Sequence, residues 1–503
     1  MPQSIEQAWS IRLKAATKEF GQEEHKALNL AAQLGASVRL NEWFAVLPES
    51  KEETLRWIVD ELILHRLARR SRDFKGWRFV HPVIRRILEN NAKYQNTWRT
   101  GHLSIARILN KTRRIDSLER TGRHLALAGE LKDGLIALIR GARVRQRRCE
   151  YSQSLQILDF TENILKENNI PYSDEAWGHA RVIRFEIAYD QNNRPALIEM
   201  EDRLRRAMVR YHWPQTHSHF LSVEGLEMLN KGQYDVARLV FKRGESLAAE
   251  AKDHRLINRH RRGLILTNIR QGQLDKANHQ LQLLRSRAVE QNDKFNTGMC
   301  DLYKANILLL QSKLDEAKTR LQQVIAHFQQ FNLQRYAAEG SNMLGDVYRR
   351  KSQLVLAETE YQKAVVKMTK LNHPELIVPN LNLAMIWIEK REFQKAKEKV
   401  QTHLPIVEER GRITLLCCAH AIILCASTAL ADWDDWQLHY TALNSLVNRS
   451  GLVDTDIAIL CETAATIAKT IGKTRHSRLL EAIAMEQREA LSPNGEHASI
   501  YIK

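Results

Sequence analysis

Gly232-Gln-Tyr-Asp-Val-Ala237 returns as Gly272-Gln-Leu-Asp-Lys-Ala277, Ser312-Lys-Leu-Asp-Glu-Ala317, Ser352-Gln-Leu-Val-Leu-Ala357 and Arg391-Glu-Phe-Gln-Lys-Ala396. Successive alanines stand forty residues apart, with one step shortened by a residue. A fixed period of that length marks an array in which each unit buries its apolar face against its neighbours. Extended backwards the period reaches Ala196 and Ser154, and forwards it reaches Trp436 and Ser477. About nine units result. The outer ones are degenerate, as terminal units facing water on one side should be.

Within a unit the spacing is that of two antiparallel helices. Ala357, Tyr361 and Ala364 fall on one helical face, with Leu344, Gly345 and Tyr348 on the helix before it. Small residues at Gly345, Ala357 and Ala364 let the two helices approach, and the tyrosines fill the gaps between units. This signature of Gly345, Tyr348, Ala357, Tyr361 and Ala364 resembles the tetratricopeptide repeat. Leu383-Ala384, Trp387 and Ala396 match in the next unit, and Gly225, Ala237 and Phe241 in an earlier one. The period is longer than that family's 34 residues. The resemblance implies a concave face lined by first-helix residues, Arg262, Asn306, Asn342, Asp346 and Arg349, that binds a protein or peptide partner.

Composition agrees with a folded, helical chain. Of 503 residues, 44% are hydrophobic and 27% charged, with only 10 prolines and 21 glycines. The six cysteines (Cys149, Cys300, Cys417, Cys418, Cys425, Cys461) form no CxxC pair and no metal-ligand spacing. They read as small apolar fillers in a reducing compartment, which predicts a cytoplasmic location. The N-terminus lacks the basic start and apolar core of a secretory signal. The stretch Ile413 to Ala431 has marginal length for a bilayer, which needs about 20 residues. It falls where the array demands a first helix, so a buried solenoid helix is expected and no membrane contact.

The formal net charge is +17. Between His65 and Arg148 there are 22 Lys/Arg against 6 Asp/Glu, so nearly the whole excess sits in one sixth of the chain. Upstream of about residue 150 the period fails. Lys26 to Gly35 reads as an apolar helix with a glycine stop, and Leu55 to Leu67 as a second, with Leu55, Val59, Leu62 and Ile63 on one face. Two short segments flanking a turn at Asp73 to Gly76 read as a hairpin, and Val83 to Leu88 starts another helix. Helices followed by a small hairpin suggest a winged-helix module.

The series Ala31-Ala32, Leu34-Gly35, Leu62-Ile63, Leu67, then Trp77, Phe79, His81, Ile84 and Arg85, with His102 and Ala106 beyond, resembles the winged-helix segment of STAND-type signalling NTPases. In that class, which includes the maltose-regulon activators, a nucleotide-binding domain precedes a winged helix and a superhelical sensor. The resemblance covers essentially the whole chain in order. It implies the winged-helix and sensor portion of such a protein, working with an NTPase or output domain in cis or in trans.

Catalytic chemistry finds little footing. No Gly-x4-Gly-Lys-Ser/Thr is present. Gly472-Lys473-Thr474 echoes it, but Ile467 holds the place of the first glycine and the segment lies in an array turn. No HExxH, GxSxG or close Cys/His/Asp grouping occurs, so no catalytic residue, metal or cofactor is assigned. His81 reads as a hydrogen-bonded structural residue, and Trp433 and Trp436 as core.

The expected architecture is all-α: an α-solenoid of about nine tetratricopeptide-like helix pairs with an N-terminal winged-helix module. Its parts are a lead-in helix (1–20), the winged-helix-like module (21–100), basic connecting helices (101–148), the superhelix (149–485) and a tail (486–503). The leading function is a non-enzymatic protein-binding sensor and scaffold. The alternative is a nucleic-acid-binding transcriptional regulator acting through the basic patch of Arg66, Arg69, Arg70, Arg72, Lys75, Arg78, Arg85 and Arg86, which could neutralise phosphates.

Overall fold

The computed structural model describes residues 4–47, 50–72, 75–112, 114, 116–410 and 412–491. Two compact units emerge, one of Met1–Gln146 with Tyr151–Ala180, the other of Arg147–Glu150 with Arg181–Lys503.

The first unit opens with α1 (Ile5–Ala16), α2 (Gln22–Leu34), β1 (Ser37–Arg39), α3 (Leu40–Val46), α4 (Glu52–Leu64), β2 (Ala68–Arg70), β3 (Gly76–Phe79) and α5 (Pro82–Tyr94). The helix expected to stop at a glycine is α2, which ends against Gly35 at φ 136°, a value that favours glycine. The expected hairpin is β2–β3, although Asp73 and Phe74 of its turn lie outside the described residues. A third strand, β1, was not legible in the sequence; it pairs antiparallel with β3, giving the sheet order β1-β3-β2. Three residues between a glycine stop and a helix carry too little alternation to be read as a strand. The core beneath holds Trp43 and Trp77 in edge-to-face contact at 5.6 Å, with Leu28, Leu55, Ile58 and Leu62. The Trp43 indole N–H donates to the Ala27 carbonyl at 2.9 Å, which satisfies its one polar atom.

Next come α6 (Trp98–Lys111), α7 (Ser117–Leu127), α8 (Leu131–Arg147), α9 (Tyr151–Glu167), α10 (Glu175–Asp190) and α11 (Arg194–Arg210). The helical rhythm then becomes metronomic: α12 (Pro214–Asn230), α13 (Tyr234–Glu250), α14 (His254–Arg270), α15 (Leu274–Glu290), α16 (Lys294–Leu310), α17 (Leu314–Gln330), α18 (Gln334–Arg350) and α19 (Leu354–Lys370). Each has 17 residues. The forty-residue period is therefore two turns of a twenty-residue one. Its punctuation is a residue in left-handed backbone at Gly232, Lys252, Gly272, Asn292, Ser312, Asn332, Ser352 and Asn372. A 3-10 turn (Pro374–Leu376) and α20 (Ile377–Glu389) continue the series. It closes with α21 (Phe393–Arg410), α22 (Ile413–Ala429), α23 (Trp433–Ser450), α24 (Thr455–Thr470) and α25 (Thr474–Leu491).

The repeated alanine sits in the first turn of every second helix, where Ala237, Ala277, Ala317, Ala357 and Ala396 have no exposed surface. Ser154 and Ser477 take that place in α9 and α25, and each hydroxyl donates to a carbonyl twelve residues back, Ala142 at 2.8 Å and Ala465 at 3.0 Å. A buried serine is tolerated there because its hydroxyl is paired. Ala196 departs from the ladder, being only half-buried. One turn deeper the Phe241 ring is so closely gripped that a Cβ on Gly225 or on Gly263 would lie 2.5 Å from it. Gly345 stands in the same relation to Tyr361. These glycines are where helix packing needs a missing side chain.

The apolar stretch flagged for its length is α22, buried continuously from Leu415 to Thr428. Among the described residues no helix is long and apolar enough to cross a membrane.

Candidate functional site

On the first-helix face of the array the five candidate residues separate into two groups. Asn342 and Asp346 are buried in α18, and the Asn382 amide donates to both, at 2.9 and 3.3 Å. Asp346 also accepts from the Tyr361 hydroxyl at 2.7 Å, which turns a repeat-signature tyrosine into a polar anchor. Arg349 reaches across 107 residues to the Asp456 carboxylate at 2.9 and 3.0 Å, with Glu389 at 3.7 Å. Its side chain is only 8% exposed. Nearby, burial and the Asp456 charge push the Asp454 carboxyl upward. Arg349 thus ties α18 to α24, a contact that no repeat-level pattern encodes.

Arg262 and Asn306, on α14 and α16, behave differently. Arg262 stacks 4.9 Å over the Phe295 ring, and its Nε has no hydrogen-bond partner. Phe295 in turn meets Tyr336 edge-on at 5.2 Å. Burial pushes the Tyr303 hydroxyl up to about 12, opposed by the Arg262 charge. Asn306 is half-buried on the same face. These two residues give the face a cationic and aromatic character.

In the first unit the basic patch also divides. Arg85 is structural: its Nε donates to the Ala32 carbonyl at 2.9 Å and it pairs with Glu89 at 2.6 Å. Arg70 pairs with Asp60. Arg66, Arg69, Arg72, Arg78 and Arg86 are exposed. None of those five has an acidic partner among the described residues. Lys75 is exposed beside them. Deeper arginines are absorbed internally. Glu42, buried on α3, accepts from Arg120 at 2.8 and 2.7 Å and from Arg39 at 2.8 Å. Burial pushes its carboxyl up, and those hydrogen bonds prevail and hold it below the usual range.

The outward face of α4 carries the opposite sign, with Glu52, Glu53 and Asp60 exposed against Arg56 alone. His81 caps α5, its Nδ1 accepting from the Val83 amide at 3.2 Å, and its ring stacks on Trp9. Trp436 is core, stacked on Tyr440 and touching His476 edge-on, with Trp433 beside it. Gly472 is a left-handed turn residue between α24 and α25.

Five cysteines are buried and all six are free thiols. Burial pushes the Cys300, Cys417 and Cys461 thiols up to about 12, which leaves them unreactive. Among the described residues no group of three or more His, Cys, Asp or Glu side chains is placed to hold a metal ion.

No protein-family profile matches the chain, and no curated protein matches its sequence. Solved structures do match in shape. A Rap protein complexed with Competence and Sporulation Factor aligns with a TM-score of 0.54 at 13% identity, covering 71% of this chain and 98% of that one. The quorum sensor NprR in complex with its peptide NprX gives 0.46 at 14%, covering 69% and 99%. A STAND protein with a tetratricopeptide-repeat sensor from Pyrococcus horikoshii gives 0.42 at 12%, covering 94% of this chain and 64% of that one. The chain is similar in fold to the Rap protein, and its α-hairpin array is a tetratricopeptide-like solenoid.

Proposed function

We propose that the protein is a non-enzymatic, cytoplasmic sensor and scaffold. On this reading the superhelix of residues 149–485 binds a protein or peptide on its first-helix face. Basic connecting helices (101–148) and a winged-helix module (21–100) relay binding to an NTPase or output domain in cis or in trans, as in STAND-type signal transduction. The observation that carries the reading is the regular stack of helical hairpins with a cationic-aromatic contact of Arg262 and Phe295 on its first-helix face, beside the half-buried Asn306. Asn342, Asp346 and Arg349 form the paired framework beside it. The order helix, strand, two helices, two strands from α2 to β3, with sheet order β1-β3-β2, supports the winged-helix assignment. The Rap protein of similar fold is complexed with a factor, which fits a peptide ligand here. The acidic outer face of α4 favours protein over nucleic acid as the partner of the first unit. A helix bearing Glu52, Glu53 and Asp60 would meet duplex phosphates with repulsion.

The test is selection of peptides from a random phage-displayed library on the full chain, followed by affinity measurement on Arg262→Glu/Asn306→Ala. Enriched peptides should weaken about tenfold or more on the variant, the loss of one anchor. No enrichment, or equal affinity for both proteins, would overturn the assignment of the face.

A further inference from the structure

A groove of about 730 Å³ runs along the first unit between α1, the end of α4 and β2. Its rim carries four guanidinium groups, from Arg12, Arg66, Arg69 and Arg70, and among the described residues no carboxylate lines it. Ile63, Ala68 and Val80 give it an apolar floor. Among the described residues, Arg70 alone of the four cations has an ionic partner, Asp60. Arg12 is held in place by stacking over Trp9 at 4.7 Å and by donating to the His65 carbonyl at 2.9 Å.

One feature here costs a little stability. Arg69 lies directly opposite Arg78 across the antiparallel β2–β3 pair, both exposed. Like charges in that position repel. Arg66 ends α4 in left-handed backbone at φ 56°, as turn residues do throughout the array, and its N–H donates to the Ile63 carbonyl at 2.9 Å. Uncompensated local penalties concentrate where a surface serves binding.

We infer that this groove is a docking site for an acidic segment of a partner protein, with carboxylates on the Arg66 and Arg69 guanidiniums and an apolar side chain on Ile63 and Val80. Carboxylates suit guanidinium forks, which offer paired donors. Nucleic acid suits the groove less well. The Trp9 ring already stacks on His81 at 5.3 Å and carries the Arg12 guanidinium, so it offers no stacking platform for a base. This site is separate from the first-helix face of the array, so either can fail without the other.

The test uses the full chain and a fluorescein-labelled peptide of four Asp-Glu-Leu triplets, read by anisotropy. Binding should weaken about tenfold between about 50 and about 300 mM NaCl. It should fall about tenfold or more in Arg66→Glu/Arg69→Glu, at a melting temperature no lower than that of the unaltered protein. Arg86→Glu, which changes an exposed charge outside the groove, should leave it within about twofold. Equal loss in both variants would reduce the effect to net charge and overturn the site. Tighter binding of a 20-base-pair duplex than of the peptide at equal salt would overturn it in favour of nucleic acid, as would absence of peptide binding at low salt.

Discussion

The first unit and the repeat array treat arginine in opposite ways. In the array Arg349 is buried and bound to two carboxylates, and its removal strands Asp456 in the interior. In the first unit Arg66, Arg69 and Arg78 stand in solvent without acidic partners among the described residues, and two of them face each other across a strand pair. Burial decides the difference. A charge taken out of water must be paired to be tolerated, whereas a surface charge can remain unpaired at little cost and stay available to a ligand.

That contrast can be broken at several points. The largest effect is expected where charge is forced into the ladder. Ala357→Arg places a guanidinium at a site with no exposed surface, and should lower stability by about 3 kcal/mol or more by overpacking and burying an unpaired charge. An unchanged melting temperature would sink the register. Next, Arg349→Ala should cost about 3 kcal/mol in urea denaturation, because Asp456 is left uncompensated. Replacing both partners, as Arg349→Met with Asp456→Leu, should recover most of it. Failure to recover would mean the pair does more than satisfy itself.

Both regions share one pH-sensitive device, a buried histidine pair in Nδ1-to-Nδ1 contact: His102 with His124 at 2.7 Å, and His420 with His439 at 2.8 Å. Burial lowers His102 and His420 to about 4 and His124 to about 3. The unfolded chain takes up these protons near pH 6.5, while the folded chain refuses them until much lower pH. Their contribution is therefore fully present above about pH 7 and is lost as pH falls from 6.5 toward 4. The slope is about 1.4 kcal/mol per pH unit for each histidine. His124→Gln should reduce the measured slope between pH 5 and 6.5 by about one proton. A flat stability profile across that window would contradict the pairing. The smallest effect is expected at the exposed surface. Arg69→Thr should shift stability by about 0.5 kcal/mol or less, toward greater stability, since it relieves the opposed charges and favours the strand. A clear loss would show that Arg69 supports the fold.

The array was legible because its chemistry repeats. Small residues at Ala237, Ala277, Ala317 and Ala357 recur wherever two helices must touch. The twenty-residue half-period was also in the sequence, as Gly, Asn, Ser or Lys at each left-handed turn. It was masked because four residue types share that duty. The concave-face residues were legible only as positions, since whether a first-helix side chain meets solvent or a neighbouring helix depends on how the units stack. β1 escaped because three residues hold no periodicity.

The sequence alone determined the helical-hairpin array, its alanine ladder, the buried course of α22 and the location of the excess positive charge. Those are set by side-chain size and spacing, which act locally and recur. Tertiary structure alone decided that Arg349 belongs to Asp456 while Arg262 stacks on Phe295, and that Arg85 is tied down while Arg69 is exposed. Pairing across 107 residues, and the burial that makes pairing obligatory, exist only once the chain has folded.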